Sequence, residues 1–521
     1  MTTTNPALRA LLIYALVLPL ALVMGYLLAT PTDLPTLALV GLVLAVLLSP
    51  FFLKYHHPML FLTWNMTAVA FFLPGRPEFW MLFAFGSLLI SIVQRALVRE
   101  KRMIFEPSLF WPLVFLALVV VVTGHFTGGV FGMQVLGSER LGGKRYLNIL
   151  AAVAGFFAMS WARIPPRKAL LFVGLYFLGS LANTIGSLVP RLPDAFIYLG
   201  LIFPVTQNDI GGTTWDLRPS APGEGITRLY GLTTTCGWVF AYLLARYGLR
   251  DLMAGKRIWV SLLLLTVMFL GCLGGFRSFL VNSAVILLTL FFFEGLFRTK
   301  YAVHLAMACL VMGVLLVTQV NRLPLSLQRS LSVLPIPVDK VARQEAEGSS
   351  EWRVRLWKLA WPMVPRYLWL GKGLGIESGE FGLASTLRGL PSGFEYEARL
   401  MAQDYHNGPL SVLLPFGLWG ALGWLWFLAA SLRALFLNHL HGESSLQKIN
   451  TFLLAFFIAK TILWFGVFGN FYTDFAEFTG LMGLSLSLNG GICKPVRVAA
   501  PVQPALRLRP PRASFQPSAN L

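Results

Sequence analysis

Charged side chains are scarce. Asp, Glu, Lys and Arg make up 12% of the 521 residues, about half the share of a soluble protein. That deficit excludes an array of soluble domains. Cysteines number four (Cys236, Cys272, Cys309 and Cys493), with neither metal-ligand spacing nor a disulfide framework, so they are expected to pack as small hydrophobes. Zinc signatures, a nucleophile elbow and a dinucleotide loop are missing. No repeat of 20 to 50 residues is evident and the two halves differ, which weighs against a secondary transporter. MTTTNPALRA runs into an apolar stretch with no small-residue cleavage site after it, so no cleavable signal peptide is expected.

What is present is apolar, 56% of the chain, and it comes in blocks. Leu11–Leu28, Leu37–Leu53, Leu109–Val122 and Ala302–Val320 are nearly free of charge, and about 20 such residues cross a bilayer as a helix. The expected fold is an all-α, polytopic transmembrane helix bundle of about 14 spans. These fall near residues 8–29, 34–53, 57–74, 78–97, 108–124, 147–163, 168–190, 229–247, 258–275, 278–297, 301–320, 408–432, 449–470 and 473–490. Ala195–Val205 is too brief to span and is expected to be re-entrant or interfacial.

Lysine and arginine set the expected orientation. With fourteen spans, the clusters at Arg95–Arg102, Arg163–Lys168, Arg246–Arg257, Arg298–Lys300 and Lys494–Arg512 share one side with the N-terminus, which is therefore cytoplasmic. That side holds 22 of the 42 Lys/Arg and 5 of the 23 Asp/Glu. The net charge of +19 is thus a topology signal and a contact with anionic membrane lipids, not a mark of nucleic acid binding. Both termini are therefore expected to be cytoplasmic.

The expected organisation is a bundle over 1–320 (about 11 spans, with outer loops 124–146 and 191–227), a large periplasmic loop over 321–405, three spans over 406–490, and a disordered basic tail over 491–521. The large loop carries 11 Lys/Arg and 9 Asp/Glu, a balance that reads as folded, and unstructured loops of this length are uncommon. Within it, Trp352, Leu356, Leu359 and Met363 are spaced 4, 3 and 4 and predict an amphipathic helix. Ser350 is its expected cap, with Glu351 in the first turn. Arg353, Arg355 and Lys358 are expected to leave the apolar face. LGKGLGIESGEFG reads as turns.

Charge at the outer end of a span needs a reason. Arg228 begins one span and Arg277 sits between two, each beside glycine. Each either anchors a helix end by snorkelling or binds an anion, for which a planar, always charged fork suits phosphate. His406, in QDYHNGPL, lies where the large loop meets the next span. A lone His is more often structural, yet its titration range suits general base work. Asp404 would orient it; Asn407 would hold the turn or bind a sugar hydroxyl. Lys460 is expected to pair with Asp474 or Glu477 on the neighbouring helix rather than take part in chemistry.

Together these pieces resemble the O-antigen ligase and polymerase family of bacterial envelope glycosyltransferases. The resemblance covers roughly residues 220–430 and rests on WRVRLWKLAWPMVPRYLWLGKGLG, on DYHNGPLSVLLPFGLWGALG with its His-Asn pair, and on the arginine segments RLYGLTTTCG and GGFRS. The family implies a donor glycan carried on undecaprenyl diphosphate. By resemblance, Arg228 and Arg277 hold the diphosphate. His406 accepts the proton of a hydroxyl on a glycan, lipid or protein acceptor, with inversion and without metal or cofactor. Arg353 or Arg355 assists from the loop. TPTDL, the first outer loop, lacks the paired acids of a metal-dependent membrane glycosyltransferase. The competing reading is a lipid-linked glycan flippase or other polytopic transporter, which explains the spans but neither the large loop nor the His-Asn mouth.

Overall fold

In a computed structural model of the chain the described residues are 14–15, 17–19, 21–23, 25, 34–71, 73, 75–97, 103–128, 140–189, 192–204, 226, 228–377, 379 and 395–495. Most of the expected first span, residues 129–139, the stretch QNDIGGTTWDLRPSAPGEG and the tail beyond 495 lie outside them.

The fold is mostly helical. Its longer elements are α1 (Leu34–Thr63), α2 (Phe79–Leu97), α3 (Pro107–Thr127), α4 (Gly143–Met159), α5 (Ala169–Leu178), α6 (Ala182–Leu188), α7 (Tyr230–Tyr247), α8 (Ile258–Leu273), α9 (Arg277–Phe293), α10 (Lys300–Gln319), α11 (Leu325–Leu331), α12 (Lys340–Ala360), α13 (Glu395–Met401), α14 (Gly408–His441), α15 (Gln447–Gly466) and α16 (Phe471–Asn489). Among the described residues, six helical segments are long and apolar enough to cross a membrane: Phe79–Leu97, Pro107–Thr127, Pro166–Leu188, Lys300–Arg322, Gly408–His441 and Ser444–Gly466. The separate spans expected over 34–53 and 57–74 are drawn differently: α1 runs unbroken through both Pro50 and Pro58, and the described residues between Thr63 and Phe79 form no helix, with Val69 bridging to Glu78. The piece 195–204 forms single turns, and Val69 donates to the Ile202 carbonyl at 2.8 Å.

The core gathers α16, α4 and α2 on one side and α14, α3 and α15 on the other. Small residues allow the close approach, as in other membrane bundles. Gly155 and Gly480 both face the Trp64 indole, where a methyl group on either would overlap the ring, and Trp64 Nε1 donates to the Ala476 carbonyl at 2.9 Å. By contrast α10 has no fully buried residue and turns Val303, Met307, Leu310 and Val314 outward, as a lipid-facing helix does.

α14 is bent at Gly417 (φ +62°), just after Pro415. Proline removes a helical donor and crowds the preceding turn. The carbonyls of Leu414 and Pro415 are satisfied from the large loop, by the backbone N–H groups of Lys372 and Gly373 at 2.7 and 2.9 Å. The expected turn segment LGKG is therefore a plug for the kink. A two-residue ladder, β1 (Arg140–Leu141) against β2 (Ile376–Glu377), ties the segment before α4 to the segment after α12.

Candidate active site

The His406 turn is fixed by its neighbours. Tyr405 is buried with Ala360, Leu410 and Leu414, and the Trp357 indole donates to its carbonyl at 3.1 Å. Asn407 caps α14, its side-chain oxygen accepting from the Leu410 N–H at 2.9 Å, and Pro409 stands in the first turn, where no donor is lost. Gly408 lies so close to Trp464 that a Cβ would sit 2.4 Å from that residue's carbonyl oxygen. With Tyr405 anchored inward and Asn407 committed to the cap, His406 is left in the left-handed region (φ +49°). Such outliers concentrate at functional sites.

The imidazole sits among named partners. Nδ1 is 2.8 Å from Asp404 Oδ1. Asp404 Oδ2 accepts from the Arg399 guanidinium at 2.7 Å, and the same guanidinium nitrogen is 3.4 Å from His406 Nε2. Trp352 and Phe468 flank the ring at centroid distances of 5.3 and 5.0 Å. Burial alone raises the Asp404 carboxyl; the hydrogen bond and charge of His406, with the charge of Arg399, outweigh it and hold the group at about 2.

A carboxyl held below its unfolded value of about 3.9 contributes stability at higher pH that is lost as pH falls through the folded value. Asp404→Asn is therefore expected to cost about 2 kcal/mol at neutral pH. The gap in melting temperature between the two proteins should close between about pH 4 and pH 2. A gap that persists unchanged at pH 2 would assign the loss to packing instead.

The arginines converge beside this dyad. Arg228 precedes α7 and Arg277 opens α9, so two helix N-termini add their positive ends. Arg277 donates to Ser350 Oγ of α12 at 3.1 Å. Two further members, Arg329 and Glu345, carried no signal in the sequence. Arg329 is buried on α11, donates to the Gly275 carbonyl, and lies 2.9 Å from Glu345 Oε2, which is itself 3.6 Å from Arg228. Burial and the charge of Arg228 lower the Arg329 guanidinium to about 10, against the opposing effect of Glu345. Arg353 links the two groups of residues. Burial lowers its pKa, the charges of Arg277 and Arg228 lower it further, and its guanidinium stands 5.8 Å over the Phe468 ring that flanks His406.

α12 departs from the sequence expectation. It begins at Lys340, capped by the Asp339 side chain, so Ser350 is mid-helix and Glu351 is not in the first turn. Its buried positions are Ala342, Ala346, Leu356 and Ala360, while Leu359 is exposed. The small alanines let α12 lie close to its neighbours and turn Arg353 inward rather than out. Arg355 does point out, pairing across one turn with Glu351 at 4.0 Å on the surface, away from His406. Arg145, in the first turn of α4, donates to the Ala402 carbonyl at 2.8 Å and stands over the Tyr472 ring.

Lys460 Nζ donates to Glu477 Oε2 at 2.9 Å and lies 2.8 Å from Oε1 as an ion pair. Asp474 instead accepts from the Asn470 N–H at the start of its own helix. The Lys460–Glu477 pair is partly buried, and breaking it strands one charge. Lys460→Met is expected to destabilise the protein by about 3 kcal/mol, with Lys460→Met/Glu477→Leu recovering most of it. A double variant as unstable as the single, by thermal melting in detergent, would show that the pair's partner is not what makes Lys460 necessary.

No curated protein matches the chain. Residues 258–425 match the family model described as O-antigen ligase. That segment runs from α8 into the kinked helix α14 and holds Arg277, Arg329, Glu345, Arg353, Arg399, Asp404 and His406, while Arg228 lies upstream. The resemblance read from the sequence is thereby met over this span: the chain is a multi-helix membrane protein, and residues 258–425 of it are similar to the O-antigen ligase family.

Proposed function

We propose that this protein is a membrane glycosyltransferase of the ligase or polymerase type. It moves glycan from an undecaprenyl-diphosphate-linked donor onto an acceptor hydroxyl at the periplasmic face, in cell-surface polysaccharide synthesis. The observation that carries the reading is the bridge through Arg353 and Phe468, which sets a carboxylate-oriented imidazole beside four guanidiniums.

Each group has a role in this reaction. The diphosphate of the donor sits against Arg228 and Arg277, with Arg329 behind them. His406, held by Asp404, takes the proton as the acceptor oxygen attacks the anomeric carbon. The C–O bond to the lipid diphosphate breaks, and the charge that develops on the leaving oxygens is stabilised by the arginines. Attack opposite the leaving group inverts the anomeric centre. Arg399 reaches Nε2 at 3.4 Å, so it must yield that nitrogen to the acceptor hydroxyl as the complex forms.

The test is product analysis with purified protein and lipid-linked donor, offering lipid, glycan and protein acceptors in turn. A new glycosidic bond supports the reading, and the acceptor used separates ligase from polymerase. Passage of intact donor across vesicles without any new bond would favour the transporter reading.

A further inference from the structure

Glu345 is an anion placed where the proposed function puts another anion. Its Oε2 lies 2.9 Å from Arg329 Nε and 3.6 Å from Arg228, and its Oε1 accepts from the Ile226 N–H at 3.1 Å. The three partners are not equally free. The Arg329 side chain is 4% exposed and is held by the Gly275 carbonyl, and the next residue, Ser330, donates to the Cys272 carbonyl at 2.6 Å. Arg228 and Glu345 are 35% and 24% exposed and sit at the edge of the cluster. Carboxylate and phosphate oxygens compete for the same guanidinium N–H groups, so one arginine fork cannot serve both fully.

We infer that Glu345 is an internal competitor for the diphosphate: it occupies Arg228 and Arg329 while the site is empty, yields Arg228 when a diphosphate enters, and returns to it as the diphosphate leaves. This rests on the diphosphate reading of the arginine cluster. It makes Glu345 a positioning residue that governs release of the lipid diphosphate product and has no part in bond formation. A Glu345 that merely ties α12 to α11 makes the opposite prediction, because loss of the tie would loosen the arginines and weaken anion binding.

Titration calorimetry of the purified full-length protein in detergent with inorganic pyrophosphate distinguishes the two. Glu345→Gln is expected to bind pyrophosphate roughly tenfold more tightly than the native protein. Glu345→Asp keeps the charge but withdraws it by one methylene; it should fold where the Gln variant does not, and should bind roughly threefold more tightly. In steady-state transfer, kcat and KM of either variant should fall together as product release slows. Equal or weaker pyrophosphate binding by a variant with native melting temperature would overturn the inference alone. Failure of the native protein and both variants to bind pyrophosphate would overturn the diphosphate reading with it.

Discussion

Replacing His406 with alanine is expected to lower glycan transfer by roughly 10²–10⁴-fold while the protein still folds and inserts, with a melting temperature lowered only by the loss of the ring's contact with Asp404. The loss of transfer should fall on kcat rather than on donor affinity, because in the proposed reaction the imidazole meets the acceptor proton and not the diphosphate. Its surroundings predict that the fold survives. The turn is held by Tyr405 beneath it and the Asn407 cap after it, neither of which needs the ring. His406→Gln keeps a polar side chain of similar reach without a titratable nitrogen and should be as inactive as the alanine variant. Native turnover in either, measured with purified lipid-linked donor, would remove His406 from the chemistry and leave it as a strained turn residue.

The second large effect is expected at Arg228. Lysine preserves the charge but not the planar fork, so Arg228→Lys separates two-point phosphate recognition from simple attraction. Loss of one oriented donor to developing charge costs about 10²–10³-fold in turnover. Arg228→Lys should fall in that range, and Arg277→Lys likewise. Arg355→Ala, which removes an exposed surface pair, should leave transfer near native. If Arg228→Lys retains full activity while Arg355→Ala does not, the diphosphate lies along the outer face of α12 instead of at the cluster.

The sequence singled out His406, Arg228 and Arg277 because each breaks a local rule, while Asp404 entered as the neighbour of His406 and Arg353 by the family resemblance. Charge and a titratable ring stand beside long apolar runs, where they are costly. Arg329 and Glu345 break no such rule. They sit in the polar loop, where charge is ordinary, and only packing shows Arg329 buried and Glu345 wedged between arginines. Arg399 was equally silent, since nothing in its spacing from Asp404 announces a 2.7 Å contact. α12 shows the same limit from the other direction. The spacing of Trp352, Leu356, Leu359 and Met363 correctly announced a helix and its buried Leu356, but it included Leu359, which is exposed, and omitted Ala342 and Ala346. Ala342 and Ala346 have too little apolar surface to register in a periodicity, yet their smallness is what lets that face be buried.

By itself, then, the sequence determined the solvent and the elements. A chain with this little charge and this many long apolar blocks must satisfy its backbone within helices, because hydrocarbon offers no hydrogen-bond partners. It also determined that a titratable residue and two arginines stand at helix ends. The tertiary structure decided what those ends meet. His406 gains a carboxylate because Tyr405 is anchored inward. Lys460 takes Glu477 rather than Asp474 because Asp474 is spent on its own helix start. The arginines share one anion because α11 and α12 bring Arg329 and Glu345 to them. The energies of these pairings depend on distance and burial, which no residue carries in its identity.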